Sequence, residues 1–187
     1  MIHLQQLLDY PIPEGRQKLS RRDVAFYALS VGLGQDPLDT RQLPFVDFTR
    51  ALPALPFQSV VLAPHGFWMA DPKTGIDAVR VVHGEQSMTF HAPLPIDGEV
   101  IGRSRVANVI DKGEGKGALV YLEKELVDAA SGRLIATLES TVFARANGGF
   151  GGPAGPLKPG HTVPETTPDF TVDLPTRPEQ AQCYRMN

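Results

Sequence analysis

The stretch GEVIGRSRVANVID, residues 98–111, decides the fold of this chain. Apolar residues alternate along it with polar ones such as Arg103 and Arg105, which is the period of a strand with one buried face. A glycine-rich connection at 112–117 leads to a second such run at 118–128, and the turn AASGR leads to a third at 134–145. We therefore predict three long strands joined by two hairpins, as an antiparallel meander.

A further strand precedes the meander. The segment VRVVHGEQ, residues 79–86, continues into the alternating SMTFH, with His83 and Gly84 at its centre. A glycine inside a strand often marks a bulge or the close approach of a ligand to the backbone. The residues alone favour a bulge beside an ordinary histidine and leave a ligand-facing strand end as the alternative.

A helix is predicted upstream of all the strands. Ser20 is placed to cap its first turn, and Asp23 stands three residues on in the position of a capping box. The glycines at 32 and 34 should end it. The face predicted to be buried consists of Val24, Tyr27, Ala28 and Val31. A helix covering one face of the meander predicts an α+β fold, an antiparallel sheet wrapped on a helix.

Composition excludes several classes of protein. A net charge of -3 provides no general attraction for phosphates, so nucleic acid is not expected as a main partner. No apolar run reaches the roughly 18 residues that a membrane-spanning helix needs. The single Cys183 cannot form an internal disulfide, and the first residues lack the features of a signal peptide, so we expect a cytoplasmic protein.

Changes in composition suggest three segments. Residues 1–152 contain the helix and the strands, and a Gly/Pro/Thr-rich linker is predicted at 153–168. Residues 169–187 resemble the start of a second domain, with a strand predicted at 170–174 and a helix opening after Pro178.

The chain contains no Walker loop, nucleophile elbow, paired CxxC or HExxH motif, so no cofactor and no metal site are expected. Lys112 in the first hairpin could meet a phosphate, although a solvated turn lysine is the simpler interpretation. The run GGFGG at 148–152 could cradle an anion, although a flexible exit from the domain is the simpler interpretation there.

Several motifs, in order, resemble one known family. They are YALSVG at 27–32, DPL at 36–38, VHGEQ at 82–86, PLP at 93–95, VIDKGEG at 109–115 and GGFGG at 148–152. From Ser20 to Gly152 the chain is similar to the amino-terminal half of 2-enoyl-CoA hydratase 2, in the MaoC-like group.

The resemblance implies the first half of a double hot-dog enzyme, which adds water to trans-2-enoyl-CoA to give the (R)-3-hydroxyacyl-CoA. It makes His83, Gly84 and Lys112 the expected substrate-binding residues, reversing the preference given above. It also implies an acyl-CoA thioester substrate, and a second hot-dog domain or another copy as partner.

The family's catalytic Asp and His lie in the second half, in a stretch like GDxNPLH that is absent from these 187 residues. The first-half counterpart at 34–39 is a degenerate copy with Asp39 in place of the histidine. We therefore expect no catalytic residue in this chain and no hydratase activity from it alone. The alternatives are a hot-dog acyl-CoA thioesterase, with a carboxylate on or near the central helix, and a non-catalytic acyl-CoA-binding or scaffold domain.

Overall fold

The computed structural model describes residues 1–155 and 162–187, so part of the predicted linker, 156–161, lies outside the described residues. A five-stranded antiparallel sheet has the strand order β1-β3-β4-β5-β2. Its strands are β1 (Gly15–Leu19), β2 (Val81–Phe90), β3 (Gly98–Asp111), β4 (Ala118–Asp128) and β5 (Leu134–Ala144). The α-helices are α1 (Leu4–Leu8), α2 (Arg21–Ser30), α3 (Leu43–Val46) and α4 (Gln180–Tyr184). Short 3₁₀ turns occupy Pro56–Val60, Trp68–Ala70, Pro72–Thr74 and Ala78–Arg80.

The predicted meander is confirmed, since β3, β4 and β5 pair in sequence through the two predicted hairpins. β2 adds to β5 at one edge, and β1 adds to β3 at the other. Strand β1 was not predicted because its sequence, GRQKL, has no apolar alternation. Gly15 explains part of its position, because a Cβ there would lie 2.2 Å from the carbonyl oxygen of Ala63.

Helix α2 begins with the predicted capping box. The Ser20 hydroxyl accepts a hydrogen bond from the Asp23 N–H, and the Asp23 carboxylate accepts one from the Ser20 N–H at 2.9 Å. Val24, Tyr27 and Ala28 are buried as predicted. Val31 is not: the helix ends before it, and it is 39 % exposed as the C-cap residue.

One face of the sheet, which we call the inner face, carries two apolar clusters. The first lies under α2 and includes Val24, Ala25, Leu62, Val100, Leu126 and Ile135. The second lies under α1 and the turn at Trp68–Ala70, and includes Leu7, Trp68, Met69, Val109, Val120 and Leu122. The inner face is therefore covered at its two ends by different parts of the chain.

The strand predicted at 170–174 is wrong. Those residues form no strand, and Phe170, Val172 and Leu174 are exposed, because no described strand pairs with their backbone. The helix predicted after Pro178 is confirmed as α4. It packs on α2, where Tyr184 stacks at a tilt on Tyr27 with ring centroids 6.2 Å apart. In the described residues no helix has the length and apolar character needed to cross a membrane.

Candidate functional site

A cavity of about 480 Å³ lies on the inner face between the two apolar clusters. Its roof is the irregular segment that includes residues 60, 61 and 64–69, and α4 closes one side through Tyr184, Arg185 and Asn187. The sheet contributes one residue after another at inner-face positions of β2 to β5, namely Gln86, Ser104, Leu122, Lys124, Leu138, Ser140 and Val142. The lining of the cavity as a whole is largely apolar, while the sheet brings four polar side chains to its floor.

Lys124 is the charged residue on the floor of this cavity, and Arg185 lies at its side. The Lys124 ammonium donates to the carbonyl oxygen of Leu62, and burial lowers the pKa of its side chain to about 8. Gly102 leaves room for it, because a Cβ at that position would lie 2.9 Å from Cε of Lys124. No ion pair in the described part of the chain includes Lys124. The cavity thus contains a cation for which the described residues provide no counter-charge.

Two further polar groups line the cavity beside Lys124. Ser104 faces Lys124 directly across the β3–β4 pair, and its hydroxyl is buried without a hydrogen-bond partner among the described residues. Nδ1 of His65 is buried and unpartnered in the same way. Burial, and then the charge of Lys124, lower the pKa of His65, which keeps the imidazole neutral near pH 7. Sequence reasoning missed Lys124 and Ser104.

His83 and Gly84 lie on the edge strand β2. The register between β2 and β5 shifts between His83 and Glu85, so the predicted bulge is confirmed. His83 is exposed and pairs with Val142, which lines the cavity, so this bulge stands at the side of the cavity. A Cβ at Gly84 would lie 3.1 Å from the carbonyl oxygen of Thr141. A ligand role for these two residues stays a prediction.

Lys112 lies at the same end of the sheet but not in the cavity. Its ammonium stands over the ring of Phe143, 5.3 Å from the centroid, and Phe143 alternates with Val142 to the outer face. A shallow groove of about 360 Å³ lies at this end, lined by Val79, Arg80, Val81, Val82 and Arg145. Arg80 pairs with Asp77 at 2.7 Å, whereas Arg145 is exposed. No pattern in the sequence predicted this cationic groove.

The glycine run at 148–152 does cradle an anion, and the anion is the buried carboxylate of Asp111. Oδ1 accepts from the N–H groups of Gly113 at 2.8 Å and Gly149 at 2.7 Å, and Oδ2 accepts from those of Gly151 at 2.8 Å and Gly152 at 3.3 Å. The bond from Gly149 and then those from the other glycines hold the pKa of Asp111 below its usual range, although burial opposes them. The interpretation of 148–152 as a flexible exit is therefore wrong.

The degenerate motif at 34–39 forms a local turn. The Arg41 guanidinium pairs with Asp39 at 2.9 Å and lowers the pKa of that carboxyl to about 2. The Gly34 N–H donates to the side chain of Gln42 at 2.7 Å. Among the described residues, no three His, Cys, Asp or Glu side chains are grouped as metal ligands. Asp39 is thus tied into the turn through Arg41.

The sequence pattern of a known family, described as the MFE-2 hydratase 2 N-terminal domain, matches residues 18–146. The chain belongs to this family. The match covers the predicted region of resemblance almost completely and includes the whole sheet apart from the start of β1. The assignment to the MaoC-like enoyl-CoA hydratase 2 and 3-hydroxyacyl-thioester dehydratase group is confirmed.

Curated relatives agree with this assignment. The chain is 36% identical over 168 residues to 3-hydroxyacyl-thioester dehydratase Y of Mycobacterium tuberculosis, covering 89% of this chain and 56% of the relative. It is 32% identical over 198 residues to the peroxisomal enoyl-CoA hydratase 2 of Arabidopsis thaliana, covering 97% and 63%. The chain thus spans somewhat more than half the length of these relatives.

Solved structures confirm the hot-dog fold. A MaoC-like dehydratase from Phytophthora capsici superposes with a TM-score of 0.77 at 27% identity, over 99% of this chain and 64% of that one. The full-length peroxisomal multifunctional enzyme type 2 of Drosophila melanogaster gives 0.69 at 27% identity, over 93% and 30%. The chain therefore shares the fold of these structures over nearly its whole length.

Proposed function

We propose that this chain is the substrate-binding half of an (R)-specific trans-2-enoyl-CoA hydratase. In that reaction the hydroxyl of water bonds to Cβ of the enoyl group and a proton is added at Cα, giving the (R)-3-hydroxyacyl-CoA. The observation that carries the proposal is the cavity on the inner face, which is largely apolar and lies next to the β2 bulge. An acyl chain needs such a concave apolar site.

The bulge provides a place for the thioester. Gly84 has no side chain to keep a ligand from the backbone of an edge strand, and His83 beside it can donate or accept a hydrogen bond. On the other face of the same sheet end, Lys112 and Arg145 provide cations for the phosphates of CoA. In this arrangement CoA crosses the β2 edge and the acyl chain enters the cavity.

A second hot-dog domain, or another copy of this one, would complete the enzyme. β2 is an edge strand of ten residues with Val82 and Phe90 partly exposed, and a long unpaired edge is suited to pairing with another sheet. We propose that residues 1–152 form the first hot-dog of a double hot-dog, that 153–168 link it, and that α4 belongs to the second. The carboxylate and imidazole that activate water are then supplied from outside these 187 residues.

The thioesterase alternative is less consistent with α2. That reaction needs a carboxylate on or near the central helix, and Asp23 is the acidic residue of α2. Its carboxylate accepts hydrogen bonds from the N–H and the hydroxyl of Ser20, at 2.9 and 2.7 Å. It therefore caps the helix and is not free for catalysis.

Isothermal titration of the chain with octanoyl-CoA tests whether it binds acyl-CoA. A spectrophotometric assay of trans-2-octenoyl-CoA hydration tests whether the chain alone catalyses the reaction. We expect saturable binding and no hydration by the chain alone. Hydration at the rates usual for enzymes, about 1 per second or faster, would contradict the assignment of catalysis to another segment. Release of free CoA from octanoyl-CoA would instead favour a thioesterase.

Gly84→Val should weaken octanoyl-CoA binding by about tenfold, a change of about 1.4 kcal/mol. The valine side chain occupies the bulge where the ligand would lie. Its Cβ is 3.1 Å from the Thr141 carbonyl oxygen, a close contact that a small shift of the edge strand can relieve. Thr89→Val, at the exposed far end of the same strand, is the matched control and should bind normally. If the two variants bind octanoyl-CoA equally well and their thermal unfolding is unchanged, Gly84 is not part of the binding site.

A further inference from the structure

Three polar groups in the cavity lack the partners that buried groups normally have. The Lys124 ammonium has three N–H donors but makes one hydrogen bond, to Leu62. The Ser104 hydroxyl and Nδ1 of His65 are buried and make none among the described residues. Buried polar groups are nearly always satisfied in folded proteins, so a cluster of three groups with free hydrogen-bonding capacity in one cavity is suited to bind polar atoms of a ligand.

The charge of Lys124 indicates which chemical group of a ligand would bind in the cavity. Lys124 brings a positive charge into an apolar cavity with no carboxylate paired to it in the described residues. Ser104 stands directly opposite it on the neighbouring strand, and His65 is close enough for the charge of Lys124 to act on its imidazole. An ammonium, a hydroxyl and an imidazole N–H are together a donor set for one carboxylate, which accepts several hydrogen bonds at once.

We propose that the cavity selects acyl groups that end in a carboxylate, held by Lys124, Ser104 and His65. The inference rests on the proposed function, since it places the acyl chain of a CoA thioester in this cavity. The substrate class is then the mono-CoA thioester of a straight-chain dicarboxylic acid. The thioester stays at the β2 bulge, and the distal carboxylate supplies Lys124 with the counter-charge that the described residues do not provide.

The test compares octanedioyl-CoA with octanoyl-CoA, which differ in the distal carboxylate, by isothermal titration of the 187-residue chain. We expect octanedioyl-CoA to bind at least about tenfold more tightly. Lys124→Met should weaken octanedioyl-CoA binding by about 30-fold or more, the usual cost of removing one partner of a buried charge pair. The loss should be at least about tenfold larger for octanedioyl-CoA than for octanoyl-CoA, because methionine keeps apolar contacts with the acyl chain but cannot pair with a carboxylate.

Lys18→Met is the matched control, since Lys18 is an exposed lysine of β1 outside the cavity, and it should change neither affinity. Ser104→Ala provides a second, milder variant that should weaken octanedioyl-CoA binding alone, by about fivefold. If Lys124→Met does not fold, the affinities of Ser104→Ala for the two thioesters still test the proposal.

Four results would overturn the proposal. If both thioesters bind equally, or if Lys124→Met weakens both to the same extent, the cavity does not recognise a carboxylate, and the proposed acyl-CoA binding still stands. If 8-hydroxyoctanoyl-CoA binds more tightly than octanedioyl-CoA, a neutral oxygen is the preferred group. If neither octanoyl-CoA nor octanedioyl-CoA binds, the proposed function fails together with this inference.

Discussion

Asp111→Ala should lower the free energy of unfolding by about 3 kcal/mol or more, because it leaves four backbone N–H groups without their acceptor. The carboxylate joins the first turn of the β3–β4 hairpin to the glycine run that follows β5. Its loss should therefore loosen both segments at once. Urea denaturation followed by circular dichroism measures the change, and hydrogen exchange should show faster exchange at Gly149 and Gly151.

Asp97→Ala is the control for this prediction, because Asp97 is exposed in the turn before β3 and its removal should cost less than about 0.5 kcal/mol. Asp111→Asn keeps the shape but turns an amide donor toward N–H groups, so it should also destabilise. Similar unfolding midpoints for Asp111→Ala and Asp97→Ala would show that the glycine run is held by other contacts.

The pH dependence of the Asp111 effect has a defined sign. The folded state lowers the pKa of this carboxyl, so its contribution to stability is complete above the unfolded pKa of about 4 and disappears as the pH falls through the folded value. The difference in stability between the wild type and Asp111→Ala should thus be constant near neutral pH and shrink below about pH 4.

Patterns that act locally made the sheet predictable. The alternation in β3, β4 and β5 and the capping box at Ser20 each determine structure within a few residues, and all appear as predicted. Strand β1 has no such pattern and exists because β3 offers it a free edge. The segment at 170–174 shows the converse, since β-forming residues do not make a strand without a neighbour to pair with.

The site was less predictable because it is built from residues distant in sequence. His83 and Gly84 stand at the side of the cavity, where their binding role stays a prediction, and Lys112 projects to the outer face. One signal for Lys124 was present: in β4 the inner-face positions run Ala118, Val120, Leu122, Lys124 and Leu126, so a lysine interrupts an apolar register. The proposed binding role of Lys124 also depends on Ser104 and His65. These residues are distant from Lys124 in sequence and come close to it only in the folded chain.

Lys124→Met should raise the free energy of unfolding at pH 7 by about 1 to 4 kcal/mol, because it replaces an unpaired buried ammonium by an apolar side chain of similar length. The wild type should also become more stable between about pH 8 and pH 10. In that range the folded protein has released the proton of Lys124, whose pKa is about 8, while the unfolded chain still holds it.

Urea denaturation at pH 7, 8, 9 and 10 separates these effects. The wild type should gain stability with rising pH, Lys18→Met should follow the wild type, and Lys124→Met should start higher and lack that gain. Parallel curves for the wild type and Lys124→Met would mean that Lys124 is not buried as a cation. Lys124→Met would then stabilise the fold and also abolish selectivity for a carboxylate. That result would show that the unpaired ammonium serves to bind the ligand, since the ammonium makes the chain without ligand less stable.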